Sequence, residues 1–86
     1  MTELDNLRSK LFKIDEELIN ILYKRLSLIH KIWEIKKKEN IPIFQLQIFL
    51  KRLAKLMALA RSKWMKADFI HKIYNFIHKE SLKVQK

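Results

Sequence analysis

Three cations, Arg8, Arg25 and Lys36, lie in one stretch of chain with no glycine or proline before Pro42, and a polar pair, Ser81 and Gln85, stands four residues apart further on. Guanidinium and ammonium groups held among apolar residues suit the oxygens of a carboxylate or phosphate. A serine hydroxyl and a glutamine amide add neutral groups that can orient such a ligand. The set suggests a buried site for a small dianion.

The stretch that carries the cations reads as a long helix. Leu4, Leu7, Leu11, Ile14, Leu18, Ile21, Leu28, Ile32 and Ile35 recur at intervals of three and four, the seam of a coiled coil. The same series calls for an apolar residue at position 25, where Arg25 stands. A charge on a seam needs a partner or a ligand. Lys36 follows about three turns later, roughly 16 Å along the axis at about 1.5 Å per residue, on nearly the same face. Both long side chains can therefore reach one ligand between them. Arg8 lies roughly 42 Å from Lys36 by the same measure and cannot join it in a pocket of one chain. If the three share a site, Arg8 comes from a second protomer. An antiparallel pairing delivers it and makes an intertwined homodimer with two equivalent sites.

The remaining sequence predicts an all-α chain of three helices. The first starts near Thr2, which forms a variant capping box with Asp5, and is broken by Glu39-Asn40-Ile41-Pro42-Ile43, where Pro42 lacks an amide hydrogen and pushes Ile41 out of helical geometry. The second runs from about Leu46 to Arg61, with Phe49, Leu50, Leu53, Leu56, Met57 and Ala60 on one face. The third runs from about Ala67 to Val84, with Phe69, Ile70, Ile73, Tyr74, Ile77 and Ser81 in register. Residues 62–66 between them carry no glycine or proline, so composition marks that boundary least.

At 86 residues the chain is read as one domain, 1–86, whose core is small unless it dimerises. It has no cysteine, which excludes disulfides and thiol nucleophiles. A net charge of +10 favours anionic partners without choosing among nucleic acid, membrane and small anions. With no apolar leader or spanning run after Met1, a cytoplasmic protein is expected. His30, His71 and His78 do not share a face at ligand spacing, so no metal site is expected. Trp33, Trp64, Tyr23 and Tyr74 read as packing residues.

The order of these residues resembles a known family, the all-helical AroQ-type chorismate mutases. Leu7-Arg8-Ser9-Lys10-Leu11-Phe12-Lys13-Ile14-Asp15 looks like that family's first-helix signature, and Arg25 follows Asp15 by ten residues as it does there. Lys36 falls in a similar lysine-rich helix end, Asn40-Ile41-Pro42-Ile43 resembles the family's proline turn, and the segment from His78 to Gln85 resembles its close. The resemblance covers nearly the whole chain. It implies a cofactor-free rearrangement of chorismate to prephenate, with Lys36 and Gln85 as catalytic donors to the ether oxygen. Arg25, and Arg8 from the partner chain, would hold the two carboxylates. Ser81 would add a hydroxyl contact and Gln45 a contact to the ring hydroxyl.

The departures from the pattern cluster at the start of the second helix. The family usually has an acid or glutamine, an arginine three residues on, and often a glutamate next; here these read Gln45, Ile48 and Phe49. Ile48 puts a hydrocarbon where a pocket cation is usual, and Arg52, one turn on, is the candidate replacement. Reduced activity, action on isochorismate or an amino analogue of chorismate, or a non-catalytic role all fit this departure. Plainer readings also stand. Arg25 would fix helix register, Arg8 would lie on a solvated flank, Lys36 to Lys38 would answer the helix dipole, Ser81 would bond a carbonyl one turn back, and Gln85 would fray. A nucleic-acid binder is disfavoured because the basic residues are spread over all three helices. A membrane-surface or partner-helix binder would use the basic amphipathic stretch from Ile48 to Lys66. Neither nucleic acid nor membrane is the expected partner.

Overall fold

The computed structural model describes residues 2–85 and consists there of three helices, α1 (Glu3–Glu39), α2 (Leu46–Ser62) and α3 (Ala67–Val84). The expected all-α architecture is present, and each helix boundary falls within a residue or two of the sequence reading. α1 begins with a complete capping box. The Thr2 hydroxyl accepts from the Asp5 amide at 3.1 Å, and the Asp5 carboxylate accepts from the Thr2 amide at 3.3 Å. Glu3 and Asp5 in its first turn and Lys36, Lys37 and Lys38 in its last complement the helix dipole at both ends.

Two turns reverse the chain, and neither contains glycine. Asn40 closes α1 at a φ of 56°, a left-handed position that asparagine tolerates better than most residues. The Ile41 amide then reaches back to the Lys36 carbonyl at 2.9 Å before Pro42 ends the helix. After α2 the amides of Trp64 and Met65 bond back to the carbonyls of Arg61 and Ala60, at 3.1 and 3.0 Å, the nested pair of a Schellman cap. Trp64 occupies the left-handed position, φ 60°, where glycine is usual. Its side chain is 96% exposed, and Tyr23 is exposed as well, so the expected packing role fails for these two aromatics within the chain. The motif satisfies the last carbonyls of α2 through backbone geometry, which a side chain of any type permits at some steric cost.

α3 packs against both α2 and the second half of α1, while α1 and α2 stand apart. The buried apolar core is correspondingly thin among the described residues, with Ile29, Ala60 and Ile70 its buried members. α1 runs 37 residues without a break and sets the long dimension of the molecule, 56 Å in a body of 56 × 25 × 15 Å. Its first half projects past the other helices. Leu4, Leu7, Leu11, Ile14 and Leu18 all lie exposed along that projection, and so do Leu50 and Phe69 on the core-facing sides expected for α2 and α3.

Candidate functional site

The gap between α1 and α2, closed on one side by α3, forms a cavity of about 260 Å³. Its polar lining is Lys36, Gln45, Arg52, His78, Ser81 and Gln85, set among apolar side chains that include Ile29, Ile32 and Ile48. Helical spacing explains the convergence. Residues 29, 32 and 36 form one stripe of α1, residues 45, 48 and 52 one stripe of α2 and its cap, and residues 78, 81 and 85 one stripe of α3. A second groove of about 210 Å³ lies beside it, walled by Leu22, Leu26, Phe76 and Ile77 with Arg25 and Glu80, and is almost wholly apolar.

Lys36 is the centre of the cavity's hydrogen bonding. Its side chain is 91% shielded, and Nζ donates to the Ile43 carbonyl at 2.5 Å and to Gln85 Oε1 at 2.7 Å. An ammonium has three donors, so one remains for an oxygen in the cavity. Because Lys36 can only donate, Gln85 must turn its carbonyl oxygen toward it, which fixes the amide orientation. Gln85 Nε2 then donates one hydrogen to the Ser81 carbonyl at 3.1 Å and keeps the other. Gln85 is 3% exposed and therefore not a frayed end. Lys36 and Gln85 thus present two unused donors from adjacent atoms.

Ser81 joins the same network from the other side and is 2% exposed. Its hydroxyl accepts a hydrogen bond from Arg25 Nη1 and donates to the Ile77 carbonyl at 2.9 Å. The serine's only hydrogen is therefore engaged one turn back, as the plainer reading has it. A carboxylate contact from this hydroxyl would require release of Ile77. Arg25 does not line the cavity itself; it meets the cavity wall through Ser81.

Positive charge is concentrated here without a protein counter-charge. Burial, and next the charge of Arg52, push both the Arg25 guanidinium and the Lys36 ammonium below their ordinary pKa values. Among the described residues no carboxylate lines the cavity, and the ion pairs that form join Arg8 to Asp5, Lys37 to Glu34, Lys72 to Asp68 and Lys83 to Glu80. Such a site attracts an anion and repels a cation.

The sequence-predicted residues therefore divide. Lys36, Gln45, Ser81 and Gln85 come together in the cavity, and Arg25 stands behind it. Gln45 caps α2 without using its side chain, which leaves its amide free. Arg8 lies far along α1 in a shallow surface dent with Ser9, Phe12 and Glu16, and its pair with Asp5 is long at 3.9 Å. Ile48 does line the cavity, so a hydrocarbon stands where the resemblance leads one to expect a pocket cation. Arg52 lines it too. Sequence reasoning considered His78 only as a metal ligand and so missed its place in the wall. The signal was its position three residues before Ser81 and seven before Gln85, on the same stripe.

Fold and site together define an all-helical protein with a cation-lined cavity among its three helices. The sequence matches the family described as chorismate mutase type II over residues 7–86, and the chain belongs to that family. It is similar to the bifunctional chorismate mutase/prephenate dehydratase of Aquifex aeolicus, 46% identical over 43 residues, which is 50% of this chain and 12% of that protein. The enzyme of the same description from Buchnera aphidicola subsp. Schizaphis graminum is 31% identical over 84 residues, 98% of this chain and 22% of the relative. The T-protein of Haemophilus influenzae is 28% identical over 81 residues, 94% of this chain and 22% of its own length. The chain thus spans less than a quarter of the length of each of these curated relatives.

Proposed function

We propose that the protein is a chorismate mutase, one domain over residues 1–86, that rearranges chorismate to prephenate without a cofactor. In this reaction the enolpyruvyl group crosses the ring as its carbon–oxygen bond breaks and a new carbon–carbon bond forms. Negative charge builds on the ether oxygen in the transition state. Donors fixed at that oxygen bind the transition state more strongly than the substrate. The observation that carries the reading is the pair of unused donors on Lys36 and Gln85, held in place by Ile43, Ser81 and each other.

The two carboxylates of chorismate fall to the arginines in this reading. Arg25 approaches through Ser81, and Arg52 supplies a cation from α2 one turn beyond the isoleucine at position 48. Arg8 arrives from the partner subunit of an intertwined homodimer. The exposed apolar seam on the first half of α1 supports that assembly, because a contiguous apolar strip of this length is rarely left in water. Holding both carboxylates keeps the side chain folded over the ring and contributes through proximity. Gln45, which lines the cavity and makes no cap bond with its side chain, is assigned the ring hydroxyl in this reading. Among the described residues no helix is long and apolar enough to cross a membrane.

The test is incubation of the purified protein with chorismate, following loss of its ultraviolet absorbance and identifying the product. Wild type should form prephenate, and Lys36→Ala should lower kcat by about a hundredfold or more. Absence of turnover by the folded dimer would defeat the proposal. Ile48 in the cavity wall gives one specific reason to run isochorismate alongside, and turnover of that compound alone would move the substrate assignment to it.

A further inference from the structure

His78 is the one side chain among the described residues whose buried polar atoms have no hydrogen-bond partner, and both of its ring nitrogens are in that state. The ring lies in the cavity wall, stacked on Phe49 with centroids 4.0 Å apart and planes 21° from parallel, with Phe44 tilted against it at 5.4 Å. An imidazole buried without partners loses its hydration and gains nothing in exchange. A ligand in the cavity can reverse that loss. A half-turn about the Cβ–Cγ bond exchanges each ring nitrogen with a ring carbon and leaves the ring's outline and its stack on Phe49 nearly unchanged.

The charge around the ring decides what it can offer. Arg25 and Lys36 face it from α1 and Arg52 from α2, while its own helix contributes Ser81 and Gln85, and no carboxylate lines the cavity. Burial first, and then these three cations, hold the imidazole below its ordinary pKa and so neutral. A neutral imidazole carries one donor and one acceptor. Its natural complement is a group that also does both, which a carboxylate does not. We propose that His78 hydrogen-bonds the ring hydroxyl of the bound cyclic dicarboxylate, beside the Gln45 amide, and so selects hydroxyl-bearing over amino-bearing relatives. An amine that takes up a proton would meet Lys36 and Arg52 at this wall, with Arg25 behind it and no counter-charge. The inference rests on the proposed chorismate mutase reading of the site.

The experiment compares wild type, His78→Phe and His78→Asn with chorismate and with its amino-substituted analogue, reading kcat, KM and melting temperature. Replacement of a partnerless polar ring by phenylalanine should leave the melting temperature equal or higher. KM for chorismate should rise at least about tenfold while that for the amino compound changes little, so discrimination falls by the same factor and only the part due to the neighbouring cations remains. His78→Asn, which keeps a donor and an acceptor, should recover part of it. In the intact protein the His78 ring nitrogen signals should move on addition of chorismate and stay fixed with acetate, a readout that holds even if a variant fails to fold. Unchanged discrimination in His78→Phe, or ring signals indifferent to chorismate, would overturn the proposal while leaving the mutase reading intact. Folded wild type that neither binds nor converts chorismate would overturn the mutase reading and the assignment with it.

Discussion

The two halves of α1 share one helix and one apolar rhythm, yet they meet different fates. The half from about residue 22 onward lies against α3, buries Ile29 and shields Lys36, and completes a cavity. The half before it repeats leucine and isoleucine at the same intervals and covers none of them, Leu11 being 57% exposed. Periodicity alone states that a face will be covered and not by what. In the second half α3 of the same chain covers only the flank that carries Ile29 and Lys36, and the seam residues Leu28, Ile32 and Ile35 still lie exposed. For the first half we propose another copy, and with it the Arg8 that the cavity lacks.

That contrast can be broken most severely at the exposed half. Leu11→Asp combined with Leu18→Asp should leave a monomer by light scattering, with mutase activity reduced at least about a hundredfold, because each cavity then lacks the second chain's cation. A fully active monomer would show that the bare seam serves another purpose. A sharper version uses two inactive proteins. Arg8→Ala and Lys36→Ala should each be nearly dead alone, but after unfolding and refolding together about a quarter of wild-type activity should return. Half of the dimers are then mixed, and one of their two sites takes Arg8 and Lys36 intact from different chains. No recovery would place Arg8 outside the site.

Within the covered half the expected effects are smaller. Arg52→Ala should raise KM for chorismate roughly tenfold with kcat changed much less, since its charge is partly solvated and acts on a carboxylate at a distance from the breaking bond. An equal fall in kcat would make it a transition-state group. The smallest effect concerns acid stability. The unfolded chain binds the His78 proton near its ordinary value of 6.5, while the folded chain holds it off to lower pH. The unfolded state then carries more protons in that window. Stability should therefore be full above about pH 6.5 and decline as pH falls toward the folded value, and His78→Phe should flatten that decline in urea titrations.

Much of this was legible in the sequence, for particular reasons. The seam residues, the Thr2 and Asp5 cap and Pro42 fix α1 and its end through local rules that involve few residues. Spacing put Arg25 and Lys36 on one face of α1, and the family resemblance, not periodicity, brought Ser81 and Gln85 to them. The turn at Trp64 was hidden because its signal is normally glycine, and the Schellman geometry formed without one. Position in the wall was equally hidden for His78, whose partners Phe44 and Phe49 lie about thirty residues away in the chain. The split between Arg25 behind the wall and Arg52 on it depends on how α3 seats between the other helices. No periodicity within one helix reports that seating.

The unbroken course of α1 also makes it a ruler. Its 37 residues carry Arg8 near one end and Lys36 near the other, so the distance and the angle between them are set by residue count alone. Deleting a single residue between them would shift Arg8 by about 1.5 Å and swing it by about 100° around the axis. Inserting seven would nearly restore the angle and leave the reach wrong by roughly 10 Å. If Arg8 serves the partner's cavity as we propose, length in this segment is as constrained as residue type, and the tolerated changes are substitutions that keep the helix in phase.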